Sequence, residues 1–319
     1  MTRFQKVFLR DPLHGRVILA GFGKHPAWDD HIDDIGLETE SLVIAKRIIY
    51  SEGIASQISS GAWNQLENSR HAMDFDHRFV WGRSDQSIVG GLWASTDGKG
   101  RTLFPMVICL QSEGKSLDAV GRFLNIIDRL GKAWKQERTK DGVHAARNRA
   151  AAEVSAAYQI APTEIFSETS DPDESVMLPA LLTLSAGLYG SKANEFSTKG
   201  THLRLPGIAT RAAQNLGFWA GYTDRHRGLN LPYLAIAPAG KRFVDLITGE
   251  PQSGDFFCLR ADDMALPETW IRTERSVAKR FEAGAREYLH TFRLGSGAPD
   301  RQRISWWSGL FERFCTLVL

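Results

Sequence analysis

Asp29, Asp30, His31, Asp33 and Asp34 crowd into one short segment, with His25 just upstream. Carboxylates and imidazoles bind divalent metals and move protons, so chemistry could reside here first. The residues are contiguous rather than spaced, and neighbours in an extended loop point to opposite sides. One reading is a metal-dependent hydrolase that uses Asp29, Asp30, His31 and Asp33 or Asp34. The other is a solvated acidic loop capping the helix behind it. A second cluster, Asp97, Lys99 and Arg101, lies inside the stretch Gly90–Leu110. A third, Arg272–Arg293, sets basic residues against Glu274, Glu282 and Glu287 at about two to one, as a solvated helix face does, with a surface for nucleic acid or an acidic protein as the less favoured reading. Other chemistries lack their signatures. There is no GxSxG, and no cysteine has a nucleophile motif around it. Gly98-Lys99-Gly100 and Gly190-Ser191-Lys192 do not complete a phosphate loop, and Gly21-Phe22-Gly23 lacks the third glycine of a dinucleotide turn.

The elements that must position these residues can be read from patterning. Ile88–Trp93 and Leu103–Leu110 read as strands of a hairpin around Asp97-Gly98-Lys99-Gly100-Arg101, with Asp-Gly supplying the positive φ that a tight primed turn needs and the second glycine loosening it into a longer loop. Pro105, lacking an N–H, belongs at a bulge or a solvent-facing position. Arg16–Phe22 reads as a strand running into the loop 24–34, which Pro26 stiffens. A helix is expected over Glu38–Ser60, weakened near Gly53, then an irregular stretch Trp63–Met73 and a strand Arg78–Trp81. Ser116 is the expected N-cap of the clearest helix. Leu117, Val120, Leu124, Ile127, Gly131 and Trp134 fall on one face of it. Ala145–Ala157 and Val176–Tyr189 read as helices, the latter with Pro179 in its first turn. Leu203–Leu205, Phe218–Tyr222 and Tyr233–Ala237 read as strands, Ile208–Leu216 and Lys241–Thr248 as short helices, and Thr273–Phe292 as a basic amphipathic helix. Together they describe an α/β (α+β) fold, a mixed, largely antiparallel central sheet with helices packed on both faces. The polar segment Glu164–Glu174 marks a soft boundary at most within a single domain of 1–319, with a basic helical extension over 270–319.

Composition narrows the function. The 319 residues carry 39 basic and 37 acidic side chains, a formal charge of +2 that gives no pull toward a polyanion. Nucleic acid is therefore not an expected partner. Cys109, Cys258 and Cys315 lie far apart, which argues against a disulfide framework or a zinc knuckle and for a reducing compartment. The N-terminus is broken by charge before any apolar run reaches signal-peptide length. No window approaches the ~18 apolar residues of a membrane span. A cytoplasmic location with no cofactor is the expectation, and the oligomeric state is open. Trp28 and Trp306-Trp307 stand in charged surroundings, as aromatics of a protein-binding surface do, although core packing is the safer reading for any one of them.

Gly23-Lys24-His25-Pro26-Ala27-Trp28-Asp29-Asp30 resembles the G-K-x-P-x-x-G-D opening of the TagF/ImpM proteins associated with type VI secretion. Gly91 to Pro105, with Asp97, Gly100, Arg101 and Phe104-Pro105, resembles that family's later D-x-x-G-R and Phe-Pro segment, with one residue more before Phe-Pro. Phe218-Trp219-Ala220-Gly221 is similar to its W-W-x-x-G region, and Leu234–Ile247 to its G-L-P-x-x-x-x-F-x-x-L-L region. Asp29 stands where the family has glycine, His31 where it has an aromatic, and Ala220 where it has the second tryptophan. The resemblance implies a non-enzymatic regulator that acts after translation by binding the forkhead-associated scaffold of the apparatus. On it, Lys24, Pro26, Trp28, Asp30, Asp97, Gly100 and Arg101 are the residues that bind a protein partner or clasp the two loops together.

Overall fold

The computed structural model describes residues 13–83, 85–160, 172–189, 201–226, 232–268 and 275–293. The Trp306-Trp307 tail and most of the polar segment 164–174 lie outside the described residues. Seven strands, β1 (Ile18–Gly23), β2 (Asp76–Arg83), β3 (Gln86–Trp93), β4 (Met106–Glu113), β5 (Thr201–Pro206), β6 (Tyr233–Pro238) and β7 (Phe243–Thr248), form one sheet. Their order is β1-β4-β3-β2-β6-β7-β5, and every pairing is antiparallel. The sheet is an α/β design covered on both faces, so the middles of its strands are apolar on both sides, while polar residues such as Arg204 and Asp245 need buried partners. β3 is buried at every position.

One face packs under α4 (Ser116–Gln136), α5 (Lys140–Gln159), α6 (Glu174–Tyr189), α7 (Ala212–Arg225) and α8 (Arg275–Arg293). Val80, Val89, Ile108 and Leu110 meet Phe123, Ile127 and Phe218 there. The residues one step along the same strands, Trp81, Ile88, Val107 and Cys109, enter the second core. That core lies under α1 (Glu40–Lys46), a π-helical segment (Arg47–Ile54), α2 (Ala55–Ser59), α3 (Ala62–Ser69) and a 3-10 turn (Ser253–Leu259). Strand period two thus divides the apolar residues between two cores. No helix among the described residues is long and apolar enough to cross a membrane.

Several expectations are corrected. Ala62–Ser69 is helical where an irregular stretch was expected, because Trp63 and Leu66 bury one side of a polar segment. Phe218–Tyr222 lies within α7, whose residues are buried all round between sheet and helices, so its unbroken apolar run mimics a strand. Lys241–Thr248 contains strand β7 and not a helix, with Phe243, Asp245 and Ile247 alternating against Val244 and Leu246. Ser116 is the first helical residue of α4, not its cap, and its hydroxyl meets that of Ser87 at 3.2 Å. Pro179 stands beyond the first turn of α6. The β3–β4 connection is a longer loop, as expected, spanning 94–105, but its positive φ falls on Gly100 and not Gly98, and β4 begins at Met106, just past Pro105.

Candidate functional site

The loop 24–34 and the β3–β4 loop are brought together where β1 ends. Gly23 has φ +101°, and a Cβ on it would lie 2.3 Å from the Pro105 carbonyl oxygen, so only glycine lets the two chains approach. The Lys24 amide donates to that carbonyl at 3.1 Å, and the Ile32 amide donates to the Gly23 carbonyl at 2.7 Å. This geometry sends the Lys24 side chain inward, leaving it 5% exposed.

Lys24 Nζ donates to Asp97 Oδ2 at 2.8 Å and to Asp30 Oδ1 at 2.5 Å. The Asp97 carboxylate is fully buried and also accepts the Lys99 and Arg101 amides at 3.0 Å each and Arg101 Nε at 2.6 Å. Arg101 reaches back, its Nη2 donating to Asp30 Oδ1 and to the Asp29 carbonyl, both at 3.0 Å. The Gly98 amide closes the contact on the Trp28 carbonyl at 2.6 Å. Two cations and two carboxylates therefore lock the loops into one body. Burial alone would push the Asp97 carboxyl up. The Lys24 ammonium and the Arg101 and Lys99 donors outweigh it and hold the group well below the usual carboxylate range. The Lys24 hydrogen bond likewise lowers Asp30.

Behind the clasp stands Trp28, buried as the core reading has it and not on an open binding surface. Its indole Nε1 donates to Asp33 Oδ2 at 2.8 Å, and Lys140 Nζ lies over its ring at 5.3 Å. A charged loop can hide a tryptophan because these partners satisfy its one donor and cover its face. His25 is fully buried, between the Trp134 carbonyl at Nε2 (2.7 Å) and the Ala27 amide at Nδ1 (3.1 Å). That pairing assigns the neutral tautomer with its proton on Nε2, and burial lowers its pKa further. Pro26 is half-buried in the turn, and Gly100 is exposed at φ +79°.

The acidic loop does not gather its carboxylates. Asp30 turns to Lys24 and Arg101, Asp33 to Trp28 and Lys140, and Asp34 to Lys46. Among the described residues, Asp29, Asp30, His31 and Asp33 do not converge on one point as metal ligands would. What faces outward is Asp30 (66% exposed), Arg101 (52%) and Leu103 (62%), with Asp29, His31 and Lys99 beside them. Leu103 is a large apolar side chain in a charged rim.

Sequence reasoning missed two features. Tyr50, in the π-helical segment, packs edge-on to His31 at 5.7 Å and tilted on Phe104 at 5.2 Å, and its hydroxyl is buried without a hydrogen-bond partner. Burial, with the Asp30 charge, pushes that phenol far up. Only the unusual Gly53 hinted at the irregular helix. The second is a buried network at the other end of the sheet. Arg204 on β5 forks onto Asp245 of β7 through Nε at 2.9 Å and Nη2 at 2.8 Å, and His202 Nε2 lies 2.9 Å from the same carboxylate. Nothing in the spacing of these residues marks them. The basic helix α8 packs Tyr288 and Phe292 on Phe218, and its Arg286 pairs with Glu282 and Glu174. Arg272 lies outside the described residues. No protein-family model matches the chain, and no curated protein matches it.

Proposed function

We propose that this chain is a non-enzymatic, cytoplasmic regulatory or adaptor protein of a type VI secretion-like system, acting after translation by binding a forkhead-associated scaffold component. The observation that carries the reading is the clasp itself. The motif residues that resemble the TagF/ImpM pattern, Lys24, Asp30, Asp97 and Arg101, spend their charges on each other across two loops. A paired ammonium and a carboxylate held ionised by several donors are poor acids, bases and nucleophiles, but they make a rigid edge. That edge offers Asp30, Arg101 and the exposed Leu103 together, an apolar anchor with a polar rim, as protein interfaces require.

The test is a pull-down from the native host with wild type and an Asp30→Ala, Arg101→Ala double variant. Both side chains are largely exposed, so the variant is expected to keep its fold by circular dichroism. Wild type should retain a forkhead-associated component that the folded variant loses. Equal capture by both would move the surface elsewhere, and no capture by wild type would remove the reading.

A further inference from the structure

His202, Asp245 and Cys258 bring a nitrogen, an oxygen and a sulfur ligand atom within 4.8 Å of one another. His202 stands on β5, Asp245 on β7 and Cys258 in the 3-10 turn that covers this end of the sheet. Asp245 and Cys258 are buried, while the His202 side chain is 18% exposed and marks a way in from solvent. The imidazole lies 2.9 Å from Asp245 Oδ1, and the thiol hydrogen-bonds the same carboxylate.

This order of groups is wrong for a cysteine nucleophile, where the imidazole stands between thiol and carboxylate. Here the carboxylate stands between, and burial keeps the thiol protonated. The imidazole and the thiol instead meet one carboxylate through protons, which a divalent cation replaces. Tetrahedral zinc with N, O and S ligands needs ligand atoms roughly 3.3–3.7 Å apart, given bonds of about 2.0–2.3 Å. To reach that, the His202–Asp245 pair at 2.9 Å opens slightly to admit the ion, and the other separations, at most 4.8 Å, close modestly.

Arg204 holds both oxygens of Asp245 and is itself anchored on the Ala261, Asp262 and Leu266 carbonyls at 3.1, 2.8 and 2.8 Å. Such outer partners fix the orientation of a ligating carboxylate. The guanidinium charge opposes a cation. The Cys258 thiolate formed on binding offsets it, with the nearby Asp255 carboxylate adding to the negative field at His202 and Cys258. His77, on the same side of the sheet, adds an independent sign of an incomplete polar site. It is buried, its Nε2 has no hydrogen-bond partner, and it lies within the field of the Asp245 carboxylate.

We propose that His202 Nε2, an Asp245 carboxylate oxygen and Cys258 Sγ bind one zinc-class divalent cation, with water in the fourth position. Binding releases the thiol proton to solvent and leaves His202 neutral with its proton on Nδ1. The mixed donor set favours zinc over calcium or magnesium, which prefer oxygen alone.

The test strips the full chain of metal and titrates it with Co²⁺, with Zn²⁺ uptake followed by elemental analysis. Expected are one equivalent bound, the visible bands of tetrahedral cobalt, and a near-ultraviolet thiolate-to-cobalt band that Cys258→Ser abolishes. His202→Gln, at a partly exposed position, should weaken binding roughly tenfold or more, since losing even an outer partner of a metal ligand costs that much. The proposal is overturned if wild type takes up no saturable equivalent, or if the thiolate band survives Cys258→Ser and so belongs to Cys109 or Cys315. If Cys258→Ser fails to fold, the wild-type titration and unchanged affinity in His202→Gln still decide against it.

Discussion

Lys24 and Arg101 bond the same two carboxylates, and their burial separates what each contributes. Lys24 is enclosed, so Lys24→Met leaves Asp97 facing a hole in its partners and should cost roughly 3–5 kcal/mol, the range for breaking a buried pair. Arg101 is half in water, and Arg101→Ala should cost about 1 kcal/mol or less. Urea unfolding of both variants checks this, and equal losses would mean that the ammonium is not the centre of the clasp. Gly23 and Gly100 make a parallel contrast. Both have positive φ, but a Cβ on Gly23 strikes the Pro105 carbonyl while one on Gly100 meets open space. Gly23→Ala should therefore cost roughly 2–4 kcal/mol and Gly100→Ala about 1 kcal/mol, by the same measurement. The clasp was legible from sequence because opposite charges stood in two loops that glycine and proline had already marked. Its depth was not legible, since a charge in a sequence carries no sign of burial, and so Trp28 in its charged loop read as either surface or core.

At the scale of elements, errors arose where burial hid the period. α7 has apolar residues on every side, so no 3.6-residue pattern survives in Phe218–Tyr222. β7 carries Asp245 on an inward face, which breaks the apolar alternation and leaves Phe243, Leu246 and Ile247 at helical spacing. The end of α7 also carries a pH response. His226 packs edge-on to Tyr222 at 4.9 Å, and burial, helped by the Arg225 charge, lowers its pKa from 6.5 to about 4. The unfolded chain thus takes up a proton that the folded one refuses between those values. The stability this gives is fully present above pH ~6.5 and is lost as pH falls toward ~4. The loss is on the order of 3 kcal/mol if the environment does not relax. Burial lowers His77 to about 4 as well, so His226→Phe should reduce the slope of the stability profile in that window without abolishing it, and an unchanged slope would assign the response to other groups.

For the whole molecule, the two edges of the sheet are guarded by the same device. β1 and β5 are the terminal strands of the sheet. An edge strand invites foreign pairing unless it is covered or carries an inward charge. At the β1 edge the segment 31–35 folds back, Gly21 and Ile35 exchanging backbone bonds at 2.9 and 3.1 Å, and the Lys24–Asp97 pair ties its loop down. At the β5 edge Arg204 points inward and binds Asp245 and the carbonyls of the covering loop. Lys24–Asp97 ties the end of β1 to the β3–β4 loop, and Arg204–Asp245 ties β5 to β7, each beside the segment that covers its edge, so each should govern local opening at its own end. Asp97→Asn should speed amide exchange in β1 and residues 24–35 and leave β5 unchanged. Asp245→Asn should do the reverse, in β5, β7 and residues 260–266. The pairs share no partner, so their costs to global stability should add within about 0.5 kcal/mol in the double variant. Exchange that spreads across the sheet from either substitution, or a double variant far from additive, would mean that the edges open as one cooperative unit, and the clasp would then be holding the whole sheet and not only the loops it joins.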